Sequence, residues 1–391
     1  MDRDLTQLRA AITAFFALDG FVFAGWVARI PAIKDQTDAS AGALGLALLG
    51  VSAGGVATMM AAGRLCRRFG SHPTTVAAGV LFSLSVALPP LTHSAPALGL
   101  VLLVFGTGFG ALNVAMNSAA VDLIAALRRP VMPGFHAAFS LGGMAGAGLG
   151  GMIADQLSPT RHLVLLAAVG LALAAVAGRT LIRLPVPVPS EAGAPPTEGP
   201  RSSSATNPGR RLVAVFGLIA LCTAYGEGAM ADWAALHLHQ DLDASAGVAA
   251  AGYSVFALMM AVGRLSGTAL LERLGQTRAL IAGGATAAVG MLLGSLAPTI
   301  WLALLGFAVT GLGLANLFPV AVARAGALTG PGGVAAASTL GYGGMLLGPP
   351  TIGFLADWFS LPAALTTVAA LAAVAAIVAY GTRNATRATG G

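Results

Sequence analysis

The chain has 391 residues, 56% of them hydrophobic and only 9% charged. Soluble domains carry about 25% charged residues, so there is too little polar surface here to cover a water-soluble globule. The net charge of +6 follows the loops between apolar stretches, so it reports membrane topology and needs no nucleic-acid partner.

A membrane-spanning helix needs roughly 20 apolar residues, and twelve such stretches follow one another. In the first half they cover 9 to 30, 42 to 63, 74 to 92, 97 to 119, 133 to 154 and 161 to 182. In the second they cover 212 to 232, 246 to 265, 279 to 297, 299 to 322, 334 to 355 and 362 to 381. The short alternating strands of a membrane β-barrel are absent. The expected fold is all-α and integral to the membrane, with twelve transmembrane helices in two six-helix halves, 1–183 and 211–391. Residues 184–210 hold seven of the 21 prolines, a composition that reads as a disordered linker.

Asp19 lies in the first span, midway between Arg9 and Arg29, with Phe15, Phe23 and Trp26 on its helix face. A carboxylate at that depth is costly, so it reads as a proton carrier or a solute hydrogen-bond partner, or as a protonated acid bonded to a neighbouring helix. Arg29 closes the span beside Pro31. It is placed at the outer mouth, against an anionic solute or Asp232, or else it snorkels at the interface. Arg64 ends the second span. Asn113 and Asn117 stand at i and i+4 on the fourth, where their amides either recognise hydroxyls and ring nitrogens or tie helices together. His136 opens the fifth.

Glu227 sits in the seventh span, ahead of Asp232 and Trp233, as a second candidate proton carrier or a structural hydrogen-bond partner. Arg264 ends the eighth span, Asn316 answers Asn113 on the tenth, and Tyr342 lies among glycines on the eleventh. Trp26 and Trp233 read as solute-stacking rings or as members of an outer aromatic belt. Cys66 and Cys222 imply no disulfide framework. There is no phosphate-binding Gly-Lys loop and no metal-ligand spacing, so no enzyme, cofactor or metal is expected.

The chain also repeats itself. Met59-Met60-Ala61-Ala62-Gly63-Arg64-Leu65 recurs with one substitution as Met259-Met260-Ala261-Val262-Gly263-Arg264-Leu265. Gly151-Met152-Ile153-Ala154-Asp155 answers Gly353-Phe354-Leu355-Ala356-Asp357, and Trp26 answers Trp233. Aligned on the tryptophans, Asp19 faces Gly226 and Glu227 faces Gly20. With both termini inside, 18 of the 21 basic residues fall on the cytoplasmic side and only Arg29, Lys34 and Arg161 fall outside.

Two parallel six-helix repeats of this kind resemble the major facilitator superfamily. The segment Gly63-Arg64-Leu65-Cys66-Arg67-Arg68-Phe69-Gly70-Ser71-His72-Pro73 is similar to that superfamily's Gly-x-x-x-Asp-Arg-x-Gly-Arg-Lys loop. Arg67 replaces the usual acid, Ser71 and His72 replace the basic pair, and the second copy keeps Glu272. Trp26-Val27-Ala28-Arg29, Asn113-Val114-Ala115-Met116-Asn117, Glu227 to Trp233 and Gly341-Tyr342-Gly343-Gly344 resemble the fucose-permease-like group and bacterial inner-membrane permeases of unassigned substrate.

The resemblance implies a pseudo-two-fold axis along the membrane normal, a monomer in the bacterial cytoplasmic membrane, and secondary active transport by alternating access. A solute would be bound near the midplane by Trp26, Asn113, Asn117, Asn316, Tyr342 and Trp233. Protons would be carried by Asp19 and Glu227, and Arg64, Arg67, Arg264, Glu272, Arg29 and Asp232 would act in gating. Asn113 stands where fucose permeases carry an acid that takes part in proton coupling, so a proton carrier must lie elsewhere. Proton-coupled uptake of a polar solute such as a sugar is expected first. Proton-driven export of an amphipathic compound and a non-transporting receptor are the alternatives.

Overall fold

The structure, a computed structural model, describes residues 3–127, 131–185, 207–329 and 331–382. Among these residues it is helical, with no strand. The first seven helices are α1 (Arg3–Val27), α2 (Ile30–Thr37), α3 (Ala41–Phe69), α4 (Ser71–Ser85), α5 (Ala95–Leu127), α6 (Met132–Met152) and α7 (Pro159–Arg183). After the expected linker, most of which lies outside the described residues, come α8 (Asn207–Gln240), α9 (Ala246–Leu265), α10 (Gly267–Leu274) and α11 (Gln276–Ser295). The last four are α12 (Ile300–Leu314), α13 (Leu317–Thr329), α14 (Pro331–Trp358) and α15 (Leu361–Gly381). Ten segments of the described residues are long and apolar enough to cross a membrane. At the expected fifth and eleventh positions stand α6, of 21 residues, and α14, of 28.

The helices outnumber the twelve expected stretches by α2, α10 and α13, and two of the breaks that set these apart are written locally as prolines. Pro31 falls in the first turn of α2, where its fixed φ suits a helix start and its ring ends the preceding one. Pro319 lacks the N–H that would bond the carbonyl of Ala315, so the expected tenth span divides into α12 and α13 there. Gly70 (φ 92) and Gly275 (φ 74) join α3 to α4 and α10 to α11 in the left-handed region that glycine occupies without strain. They are the same position in the two copies of the repeat. Ser71 and His72, which depart from the family's basic pair, are both buried. The Ser71 hydroxyl donates to Asp122 Oδ2 at 2.8 Å and His72 Nδ1 pairs with Leu181 O at 2.9 Å, so these positions tie α4 to α5 and α7.

The chain forms two compact units, Met1–Ala39 with Ala47–Arg201, and Ser40–Leu46 with Ser202–Gly391. Neighbour relations repeat inside each. In the first unit α1 packs on α6 and α7, and α4 on α5 and α7; in the second α8 packs on α14 and α15, and α11 on α12 and α15.

The closest approaches are built on glycines. A Cβ at Gly142 would stand 2.1 Å from Ala17 O and one at Gly146 2.2 Å from Phe21 O, so α1 and α6 touch backbone to backbone. In the second unit a Cβ at Gly344 would stand 2.2 Å from Leu221 O, and one turn on Gly348 lies beside Tyr225 O in ordinary contact, 3.7 Å from a Cβ there. This fixes a register the tryptophans do not: residues 17 and 21 answer 221 and 225, an offset of 204 where the tryptophans imply 207. By this crossing, Asp19 answers Thr223 and Glu227 answers Phe23, correcting the pairing with Gly226 and Gly20.

Gly142→Val is expected to force α1 and α6 apart and lower stability by about 3 kcal/mol or more, since overpacking alone costs about 1–3 kcal/mol and here the obstacle is backbone. A thermal melt in detergent checks it. An unchanged melting temperature would mean that the close crossing contributes nothing.

Candidate functional site

In the first unit Asp19 is 0% exposed and neither carboxylate oxygen has a hydrogen-bond partner. Its helix-face neighbours explain this. Phe15 lies against Gly79 of α4, and the Phe23 ring stands 5.1 Å from Phe109 and 6.4 Å from Phe105 of α5. Trp26 and Phe82 complete the aromatic cluster around Phe105. An acid set among aromatic rings without a donor has nothing to offset the desolvation of its charged form, a cost of several kcal/mol. Thr223, its counterpart by helix crossing, is equally buried but donates to Ile219 O at 2.8 Å. The first unit therefore carries an unpartnered acid where the second carries a satisfied hydroxyl.

In the second unit the charges are paired. Arg264 Nη2 donates to both Glu227 oxygens, at 3.2 and 3.3 Å, and both side chains are partly open, at 36% and 28% exposure. Its Nε donates at 3.4 Å to Ala315 O, the carbonyl released by Pro319. Asn316, in the break between α12 and α13, donates to Gly263 O at 2.8 Å. Arg264 thus joins the seventh, eighth and tenth expected spans at one point, rather than simply marking a helix end. Tyr253 lies within electrostatic reach of Glu227, Arg264 and half-buried Asp232. Two acids, one arginine, a phenol and a broken helix are a concentration of polarity that a structural helix contact does not need.

The other candidates are dispersed. Trp26 and Trp233 are packed inside their own units, Trp233 with its indole N–H unpartnered. Asn113 is half-buried, and Asn117 donates its amide to Asn113 O at 2.8 Å. Tyr342 is 38% exposed. Arg64, Arg67 and Glu272 are exposed, and Arg64 has no acid partner among the described residues, unlike Arg264.

Arg29, expected at an outer mouth against Asp232, is 2% exposed and bonded within the first unit. Its guanidinium donates to Ala154 O at 2.9 Å, Leu157 O at 3.0 Å and Ile153 O at 3.5 Å, and its Nε donates to His162 Nδ1 at 2.6 Å. It holds the carbonyls of the turn that follows α6 and leads into α7. Burial disfavours its charge, and nearby Asp155 partly offsets this. Arg29→Gln is expected to lower stability by about 2–4 kcal/mol, because the buried acceptors lose their donors. Thermal denaturation reads this out, and a loss of solute movement with unchanged stability would point to a gate instead.

Sequence reasoning overlooked His162 and the Ala315–Pro319 break. The second had a visible signal, a proline inside an apolar span four residues after the alanine. The histidine had none, because its partner is 133 positions away.

Comparison with known proteins agrees with this architecture. The sequence description of the Major Facilitator Superfamily matches residues 10–281 and 216–390. An uncharacterised MFS-type transporter of Yersinia pestis is 32% identical over 371 residues, covering 94% of this chain and 93% of that protein. The membrane protein MosC of Rhizobium meliloti is 30% identical over 380 residues, covering 94% and 88%. Among solved structures, the D323A mutant of the nucleoside transporter NupG superposes with a TM-score of 0.76 at 14% identity over 96% of this chain and 100% of that one. A D-xylose-proton symporter superposes with a TM-score of 0.73 at 16% identity over 96% and 97%. The chain is a multi-pass membrane transporter, not an enzyme, and it belongs to the Major Facilitator Superfamily.

Proposed function

We propose that the chain couples the inward movement of protons to uptake of a small polar solute such as a sugar. The observation that carries this reading is the carboxyl of Asp19, wholly buried and without a donor. A group so placed is stable neutral and must gain a partner or water to release its proton, which is the behaviour a coupled carrier requires. Glu227, held by Arg264, is the second acid of the cycle: protonating it frees the guanidinium, and a change at Arg264 reaches Ala315 and the broken tenth span.

Asn113 and Asn117 in the first unit and Asn316 and Tyr342 in the second supply neutral recognition of hydroxyls, and Trp26 and Trp233 are the aromatic candidates of each unit. Arg64, Arg67 and Glu272 take part in closing the helix ends, with Asp232 beside the Glu227 cluster. Solved transporters of this fold include one for nucleosides and one for D-xylose with protons, both solutes rich in hydroxyls. The protein works as a monomer in a bacterial cytoplasmic membrane, with residues 1–183 and 211–391 as its halves, 184–210 as the link and both termini inside.

Purified protein in liposomes, given an inward proton gradient and a labelled panel of pentoses, hexoses, nucleosides and an amphipathic cation, tests this. Accumulation of one polar solute is expected. Gradient-driven loss of the cation from preloaded vesicles, with no polar solute taken up, would replace uptake by export.

A further inference from the structure

In the first unit, α1 and α7 leave between them a groove of about 250 Å³, lined by Ala10 and Ala14 on one side and Leu173 and Val176 on the other, with Gln7 and Thr180 at one end. Gly25 of α1 meets Leu166 of α7 and Val22 meets Gly170, so the helices run antiparallel, and the seven residues from Gln7 to Ala14 make the groove about 10 Å long. Both helices are long and apolar enough to span a membrane. Val176 is 70% exposed, so the groove opens outward, onto the hydrocarbon of a bilayer. Small side chains on α1 make the channel, and its apolar walls offer nothing for a polar ligand to bond.

Its polar end is different. Arg3 and Arg9 of α1 and Arg179 and Arg183 of α7 lie within about one turn of Gln7 and Thr180, and all four are exposed. None of the four forms an ion pair among the described residues, and Asp4 is the one acid on these two helix ends. Arg3 on the groove's side of α1, with Arg179 and Arg183 of α7, puts three guanidinium groups near the mouth of an apolar channel, which calls for a ligand with negative charge at one end and a hydrocarbon chain at the other.

We propose that this groove binds an anionic phospholipid, with one acyl chain between α1 and α7 and the headgroup phosphate on the arginines. The site is separate from Asp19 and from Glu227, and it does not depend on the transport reading. A second copy seated by the same face would bring the same arginines against these, with Asp4 the one acid of these helix ends, which is why a lipid is the occupant.

The test is native mass spectrometry of the full chain from micelles holding equal amounts of phosphatidylglycerol and phosphatidylcholine. One phosphatidylglycerol per chain is expected to be retained, with at least about a tenfold preference over phosphatidylcholine. R3Q/R179Q/R183Q should lose the preference. A10F, which fills the channel at an exposed position, should lose retention of both lipids. All substituted side chains are exposed, and unchanged helical circular dichroism confirms that the variants are folded. Equal retention of the two lipids by the parent, or an unchanged preference in the triple variant, would overturn the proposal. A lipid-free dimer abolished by A10F would overturn it too, by seating a second copy in the groove.

Discussion

Asp19→Asn is expected to abolish proton-driven accumulation while leaving the protein folded and able to exchange solute down its gradient. The substitution keeps size and shape, and it replaces one unpartnered buried polar group with another, so stability should move by no more than about 1 kcal/mol. What it removes is the ability to take up and lose a proton. One proton moving through a difference of one pH unit is worth about 1.4 kcal/mol and supports about a tenfold accumulation ratio. The variant should therefore give a ratio of about one, measured with labelled solute in liposomes under an imposed pH gradient. A retained tenfold ratio would make Asp19 a structural acid, the equivalent of Thr223.

The second large effect is expected at the pair Glu227–Arg264. Both groups are partly open, so the attraction itself is worth only about 0–1 kcal/mol after solvent screening. The functional effect should be much larger, because Arg264 also holds the carbonyl released by Pro319. Glu227→Gln leaves the guanidinium on Ala315 O alone, and Arg264→Gln leaves the acid without its cation. Each is expected to slow solute uptake by at least about tenfold. The double variant should recover part of the stability lost in the more damaging single one, with a coupling energy of about 0.5–1 kcal/mol in a double-mutant cycle. Strictly additive melting temperatures would show that the pair seen at 3.2 Å contributes nothing.

Most of the fold was legible in the sequence because its largest signals are repeated ones. Apolar stretches of spanning length, Gly-Arg-Leu at two helix ends and glycines at positions 70 and 275 each state a local requirement that the structure meets. What the sequence obscured is depth and register. Trp26 and Trp233 are identical residues, yet the glycine crossings show that they are not at equivalent heights, and this moved Glu227 from a match with Gly20 to a match with Phe23. Matching by identity fails where packing between neighbouring helices sets the register, since a helix can slide by nearly a turn and keep its apolar face.

The site was legible only in part, for a related reason. Asp19 stood out because a lone acid among aromatics has few explanations. Glu227 and Arg264 were each visible, but their contact was not: Arg264 ends the eighth span, whereas Glu227 lies inside the seventh. A long side chain on one helix reaches a group on an antiparallel neighbour, and spacing along either helix does not reveal that. Arg29 shows the converse. Its place beside a proline suggested an exposed mouth, whereas its partners are carbonyls more than 120 positions away.

The most direct test of coupling follows the pH inside liposomes with a trapped dye while solute is added outside, with no gradient imposed. The parent protein is expected to acidify the lumen in proportion to the solute that enters, and neither Asp19→Asn nor Glu227→Gln should do so. Entry of solute at the full rate with no change in lumenal pH would contradict the account.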